Sequence, residues 1–157
     1  MPPDPLRTLP FLVAALLMGV LTFTGFATFI AFTRGGMAPP ASTDYTLLLV
    51  LAVLGPSEFL AYHVALRPMF ARRARETASA SEETRDFGLA QQFAMKTIIA
   101  AALLEGWGLF GAVILFLNGQ WPALAAPMIA AVGLALLLDA RGRFERFKED
   151  ATGQRQV

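Results

Sequence analysis

The sequence predicts an all-α, polytopic membrane protein with four transmembrane helices, arranged as two hairpins with both termini in the cytoplasm. Composition is the first observation behind this prediction: 55% of the 157 residues are hydrophobic and 16% are charged, whereas about a quarter of the residues in a soluble domain are charged. The second is a set of four long apolar segments, and the third is the distribution of basic residues between them. We expect one domain over residues 1–157.

Four segments are long enough to cross the hydrocarbon core, which takes about 20 apolar residues in a helix. They cover approximately residues 9–33, 45–66, 93–117 and 122–138. The first carries no charge and is too long for the hydrophobic region of a signal peptide, so we interpret it as a retained anchor. Only the short turn NGQWP separates the last two segments, which predicts an antiparallel hairpin.

The basic residues set the orientation. They concentrate in a loop after the second span, residues 67–92, and in the tail, residues 139–157, while the two hairpin loops contain only Arg34. The positive-inside rule places both basic segments, and therefore both termini, in the cytoplasm. Within the loop, Ser79 or Ser81 followed by acidic residues resembles a helix N-cap, so the third helix should begin near Glu82, below the membrane.

Six arginines in these two segments are candidates for contact with anionic lipid headgroups, at about 1 kcal/mol for each one held near the surface. They are Arg67, Arg72, Arg73, Arg141, Arg143 and Arg146. All but two of the basic residues are arginine, a bias typical of GC-rich bacterial genomes, so we expect the inner membrane of a bacterium. A net charge of +1 produces no field that attracts nucleic acid, and nucleic acid is not an expected partner.

Two carboxylates lie within the apolar spans, Glu58 in the second and Glu105 in the third. A charge at the bilayer centre costs about 2.5–3.5 kcal/mol on insertion scales, so each is a functional candidate by default. Each lies nine residues from a basic residue at the inner end of its span, Arg67 or Lys96, which places both about 13–14 Å from the cytoplasmic interface. Equal depth predicts that the carboxyls meet, and then at least one should keep a proton near neutral pH.

Small residues that share a helix face with a glutamate predict close helix packing. These positions are Gly55, Ala101, Gly108 and Ala112. Pro56 should kink the second helix because it lacks an N–H and clashes with the preceding turn. Ser57 is placed to satisfy part of the freed backbone, and Tyr62 lies nearby, so our candidates for proton or ion binding are Glu105, Glu58, Tyr62 and Ser57.

The alternative role for these residues is structural, since a kinked helix with one buried glutamate hydrogen-bonded to Tyr or Ser also occurs without ion binding. The one histidine, His63, lies on a different face from Glu58 and is better explained by an interfacial hydrogen bond than by metal ligation. With one histidine and no cysteine, the sequence shows no pattern typical of a metal site, a nucleophile elbow or a phosphate loop. We expect no catalytic residues, no metal, no cofactor and no enzymatic activity.

The segment LLEGWGLFGAVILFL, residues 103–117, resembles the carboxylate helix of the ATP synthase subunit c and V-type proteolipid family. In that family the ion-carrying glutamate is followed five residues later by an aromatic residue and then a glycine; Glu105, Phe110 and Gly111 match. The resemblance implies that Glu105 would carry a proton or small cation. Two features of the family are missing: its carboxylate lies on the second helix of a hairpin, whereas Glu105 lies on the first, and this sequence has no glycine-repeat helix.

As a whole, the chain resembles small bacterial four-span proteins that carry an LLEGxxLFG-like segment, which implies no particular function.

Two functional hypotheses follow. The first is a non-enzymatic membrane subunit that acts as a homo-oligomer or within a larger membrane complex, with the bilayer and its anionic headgroups as partners. The small-residue faces and the basic segments favour it. The second is a protein that handles protons or another small cation, with Glu105 as the carrier and Glu58 as its coupled neighbour.

Overall fold

The computed structural model describes residues 5–37, 45–78 and 82–152, with side chains for all of these except residues 82–84. Within these ranges it contains α-helices and no strand, which confirms the all-α class. The helices are α1 (Pro5–Thr33), α2 (Tyr45–Ala61), α3 (Arg67–Ala78), α4 (Glu82–Asn118), α5 (Ala125–Leu137) and α6 (Ala140–Thr152). A π-helical turn, Tyr62–Leu66, joins α2 to α3, and a 3₁₀ turn, Trp121–Leu124, precedes α5.

Three helical segments are long and apolar enough to cross a membrane. They are Pro5–Thr33, the continuous helix Tyr45–Ala78, and Arg85–Asn118. A fourth span requires Trp121–Leu137 and α6 to be counted together, although a bend of 71° separates them. The bend coincides with a helix cap, because Asp139 Oδ1 accepts a hydrogen bond from the Gly142 N–H at 3.1 Å at the start of α6.

Helices α1, α4 and α5 form the centre of the bundle. Their core side chains come from all three helices: Val13 and Val20 of α1, Ala101 of α4 and Leu134 of α5 are fully buried and belong to one cluster. Helix α2 lies on the outside, where Leu51 is its one buried residue. The bundle therefore has a three-helix centre with α2 placed against α4.

Glycines on α4 set its distance from α5. A Cβ at Gly111 would lie 2.7 Å from the Ala126 Cβ and 2.8 Å from the Ala123 carbonyl oxygen, and a Cβ at Gly108 would lie 2.7 Å from the Ala130 Cβ. Atoms in van der Waals contact stay farther apart than this, so a larger residue would push the helices apart. Close approach at small residues is the usual way in which membrane helices gain packing energy.

Two further small residues on α4 lie in the bundle centre. Ala101 and Ala112 are both fully buried. Together with Gly108, they occupy positions that the sequence marked for close helix packing. The glycine and alanine side of α4 is thus the side that meets the other two central helices.

The two basic segments form a packed layer of helices. The ring of Phe93 on α4 contacts the rings of Phe144 and Phe147 on α6, with centroids 5.6 and 5.7 Å apart. Lys148 Nζ lies 2.9 Å from Asp86 Oδ2, which links α6 to α4 by a salt bridge. Residues expected to form a tail therefore form a helix that covers the start of α4.

Helix α3 packs on the same layer. Its apolar residues Phe70 and Ala74 are buried, and the amide of Gln92 on α4 donates to Thr77 Oγ1 at 2.5 Å. The segment 67–92, expected to connect the second and third spans, contains α3 and the beginning of α4. Helix α4 begins at Glu82, where the sequence places it, while the serine cap expected at 79 or 81 lies outside the described residues.

Replacement of Gly111 by alanine should destabilise the bundle, because the new Cβ would lie 2.7, 2.8 and 2.9 Å from atoms of Ala126, Ala123 and Pro127. We expect a loss of about 1–3 kcal/mol in the free energy of unfolding, typical of overpacking. Denaturant titration in a mild detergent measures it.

Gly106→Ala is the matched control on the same helix, because nothing lies within 4 Å of a Cβ at that position. Higher helix propensity alone should stabilise this variant by roughly 0.5–1 kcal/mol. If the two variants unfold with equal free energy, the contact between α4 and α5 does not depend on Gly111.

Candidate functional site

A cavity of about 130 Å³ lies between α2 and α4. Gly55, Glu58, Phe59 and Tyr62 line it on one side, and Ala100, Leu103, Leu104 and Trp107 of α4 line it on the other. Glu58 is the one charged residue in this wall, and its side chain is half-buried. The remaining residues of the wall are glycine, aliphatic or aromatic, and the surface of the cavity is almost entirely apolar.

Trp107 holds α2 against α4 beside the cavity. Its indole N–H donates to the carbonyl oxygen of Leu51 at 3.0 Å. Its ring lies against Gly55, where a Cβ would overlap the indole atoms, so glycine is required for this contact. The hydrogen bond satisfies the one polar group of the indole inside an apolar bundle.

A π-helical turn begins at Tyr62, in the cavity wall. The Arg67 N–H donates to the Tyr62 carbonyl, five residues back. Pro56, where a kink is expected from the sequence, lies inside the continuous helix α2. The departure from α geometry comes later, in the π-helical turn Tyr62–Leu66. Ser57 Oγ donates to the Leu54 carbonyl at 2.7 Å. π turns are rare and occur frequently at functional sites.

Glu105 lies on the opposite side of α4. Its Oε1 is 3.7 Å from the position that a Cβ would take at Gly19 of α1. At about 100° per residue, Leu103 and Trp107, which face the cavity, point about 160° away from Glu105. The two glutamates are therefore separated by α4, and the meeting of carboxyls expected from their equal depth is not what the structure shows.

Within the described ranges, neither glutamate side chain has a hydrogen bond or an ion pair. Both Glu58 and Glu105 are half-buried. An ionised carboxylate in an apolar environment is costly unless it is paired. A partner for either carboxylate would therefore have to come from outside the described residues.

The six arginines proposed to contact lipid headgroups lie on α3 and α6. The exposed ones are Arg67, Arg72, Arg73, Arg141 and Arg146. Arg143 is half-buried, with its guanidinium carbon 6.0 Å from the centre of the Phe93 ring. Lys96 makes a similar contact, with Nζ 5.3 Å from the centre of the Phe147 ring. Two of the cationic groups at this end of the molecule thus face aromatic rings.

The sequence did not mark most residues that shape the two glutamate environments. Phe59 and the residues of α4 that line the cavity are apolar residues in an apolar span, and they carry no distinguishing signal. Gly19 is one glycine among several small residues in α1. Trp107 is the exception, because a tryptophan in the middle of a span, away from the interface, needs a hydrogen-bond acceptor within the bundle.

Comparisons with known proteins provide no family for the chain. No protein-family model, no curated protein and no solved structure matches it. Function is therefore inferred from three features: the α2–α4 cavity, the environment of Glu105, and the outer surface of α2.

The placement of the glutamates on opposite sides of α4 predicts that Glu58→Gln and Glu105→Gln act independently. Their effects on the free energy of unfolding should add within about 0.5 kcal/mol, as is usual for sites that share no partner. Denaturant titration of both single variants and the double variant measures the coupling. A coupling energy above about 1 kcal/mol would show that the carboxyls share one site after all.

Proposed function

We propose that the protein is a non-enzymatic, multi-pass membrane subunit that acts as an oligomer or within a larger membrane complex. In this proposal it crosses the inner membrane of a bacterium four times, with both termini in the cytoplasm. The fourth span is then Trp121–Leu137 without α6, because its 17 residues reach the lower limit of length for a transmembrane helix. The concentration of arginines on α3 and α6 supports this orientation. The 71° bend before α6 supports a position of that helix along the membrane surface.

The observation that carries the proposal is the uncovered surface of α2. Leu51 is the one buried residue among its 17, whereas five of the 13 residues of α5 are buried. Lipid can cover the apolar side chains, but Ala61 at the end of α2 and Ala65 in the π-helical turn that continues it, four residues apart, are exposed as well. Small residues at this spacing let a second helix approach closely within a membrane. A helix of another copy or another protein is the partner that this surface fits.

The packed layer of α3 and α6 supports a role at the membrane surface. Five of its six candidate arginines are exposed, and each would gain about 1 kcal/mol from anionic lipid near the surface. Aromatic contacts and the Lys148–Asp86 salt bridge attach α6 to α4. The cationic side chains are therefore carried by helices that are fixed to the bundle.

Photo-crosslinking from α2 tests the assembly. Because the chain contains no cysteine, a single cysteine at Ala61 or Ala65 can carry a thiol-reactive photo-crosslinker. Irradiation of native membranes should link the chain to a second copy or to another protein. A cysteine at Leu136, which is 70% exposed on α5, is the control and should link mainly to lipid.

Crosslinking from Ala61 and Ala65, compared with crosslinking from Leu136, can also contradict the proposal. If Ala61 and Ala65 link to no protein, or link no more than Leu136, α2 is covered by lipid alone. The assembly proposal would then be wrong.

A second function, the handling of protons or another small cation, is favoured by the environment of Glu105. Its carboxyl lies against Gly19 of α1, half-buried and without a partner among the residues that the structure describes. The same glutamate matches the proteolipid pattern together with Phe110 and Gly111. Because α4 separates it from Glu58, Glu105 would act as a single carrier.

Proton flux into reconstituted vesicles that contain a pH-sensitive dye tests this function. Wild-type protein should dissipate a pH gradient, and Glu105→Gln should reduce the flux to that of protein-free vesicles because an amide carries no exchangeable acid proton at neutral pH. Glu58→Gln is the matched control, since it removes a carboxyl at similar depth on the other side of α4. Equal flux from wild type and Glu105→Gln would dismiss the carrier role.

A further inference from the structure

We propose that one anionic phospholipid binds where α2, α3, α4 and α6 meet, with its phosphate against Arg67 and Lys96 and one acyl chain in the α2–α4 cavity. The two parts of this site adjoin each other. Ala100 lines the apolar cavity and lies one helical turn after Lys96 on α4, about 6 Å along the helix axis. The proposal rests on the proposed function only for the position of α3 and α6 at the membrane surface.

A second cavity, of about 430 Å³, provides the cationic part of the site. It lies between α3, α4 and α6, and Arg67 and Lys96 are both in its wall. Neither side chain has an ion pair within the ranges that the structure describes. Arg67 is exposed and Lys96 is half-buried, so a phosphate at the membrane surface can reach both.

Arg143 of α6 adds a third positive charge close by. Its guanidinium carbon lies 6.0 Å from the centre of the Phe93 ring. Lys96 Nζ lies 5.3 Å from the centre of the Phe147 ring, and the two rings contact each other, with centroids 5.7 Å apart. Lys96 therefore lies in the field of both Arg143 and Arg67. A phosphate between like charges replaces repulsion by attraction and accepts charge-assisted hydrogen bonds.

Two acidic residues, Glu149 and Asp150, also line the second cavity. They directly follow Lys148, which forms a salt bridge with Asp86, ten residues before Lys96 on α4. The acidic end of this cavity therefore lies toward the beginning of α4, away from the apolar cavity. The charge of Asp150 acts on Lys96 more weakly than that of either arginine. The end nearer the membrane is thus cationic.

The α2–α4 cavity provides the apolar part of the site. Its surface is almost entirely apolar and its volume is about 130 Å³. Because a cavity of about 150 Å³ binds benzene, this space holds a segment of an acyl chain. Phe59 is 65% exposed at the cavity edge, so the rest of the chain can continue into the surrounding lipid. Tyr62, in the same wall, lies in the field of Arg143 and Arg67, which links the apolar cavity to the cationic one.

The charge of the site selects among phospholipids. Basic pockets between membrane helices on the cytoplasmic side bind anionic headgroups. Phosphatidylglycerol carries one phosphate and no other charge, whereas phosphatidylcholine also carries a quaternary ammonium group, which the three cations would repel. We therefore expect the site to prefer phosphatidylglycerol to phosphatidylcholine.

Quenching of Trp107 by lipid with brominated acyl chains measures this preference. The chain has two tryptophans, so the Trp121→Phe variant leaves Trp107 as the single reporter, in the wall of the apolar cavity. The protein is reconstituted into phosphatidylcholine vesicles that contain a rising mole fraction of brominated phosphatidylglycerol or, as the control, brominated phosphatidylcholine. Half-maximal quenching should require at least about tenfold less of the brominated phosphatidylglycerol.

Charge variants in this background identify the cationic part. Lys96→Gln and Arg67→Gln should each raise the mole fraction of phosphatidylglycerol at half-maximal quenching about fivefold. Arg72→Gln is the matched control, because it removes the same charge from α3 where Arg72 pairs with Glu76 at the surface. It should leave the mole fraction unchanged. Circular dichroism and gel filtration check the fold of each variant.

Two further measurements test the apolar part. Ala100→Leu fills the cavity and keeps the three cations, so it should reduce quenching by brominated phosphatidylglycerol to that by brominated phosphatidylcholine, even if a charge variant fails to fold. Soluble glycerophosphoglycerol, the headgroup without acyl chains, should not reverse the quenching. Reversal would show a site for a free phosphate ester and would contradict a lipid site.

Equal quenching by the two brominated lipids would overturn the proposal. So would unchanged quenching in Lys96→Gln, Arg67→Gln or Ala100→Leu, or a loss in Arg72→Gln as large as in Lys96→Gln, which would indicate diffuse attraction to the membrane surface. The assembly proposal would survive any of these results, because crosslinking from Ala61 and Ala65 reports on a different surface.

Discussion

The close approach of α4 to α5 at two glycines is the contact on which the rest of the structure depends. Because Gly108 and Gly111 have no Cβ, Ala126 and Ala130 of α5 lie directly against the α4 backbone. In lipid, apolar side chains gain little by leaving their surroundings, so van der Waals contact of this kind holds the helices together. Once α5 and α1 occupy adjoining sides of α4, the remaining side is the one that receives α2.

The rotation of α4 about its axis then decides what each of its side chains meets. Glu105 turns toward Gly19 of α1, while Trp107, two residues further on, turns toward Leu51 of α2. One helix thus separates the two carboxylates and gives them different environments. Glu105 lies against a packed helix, whereas Glu58 lies in the wall of an apolar cavity.

The parts of the fold that depend on local composition could be predicted from the sequence. Long apolar segments indicated the three helices that are long and apolar enough to cross a membrane, and the acidic turn indicated that α4 begins at Glu82. Helices α3 and α6 lie in the segments expected as a cytoplasmic loop and a tail, and no bounds could be predicted for them because their high charge obscures a short amphipathic pattern. That pattern is a pair of apolar residues one turn apart, Phe70 and Ala74 in α3 and Ala140 and Phe144 in α6, and in both helices the pair is buried.

The candidate sites depend on contacts between segments that are distant in the sequence, so less of their geometry could be predicted. The depth of each glutamate follows from the fixed rise of a helix, but the rotation that separates them is set by helix contacts that the sequence of one helix does not encode. The tryptophan in the middle of α4 is the one local sign, because an indole N–H in lipid needs an acceptor on another helix.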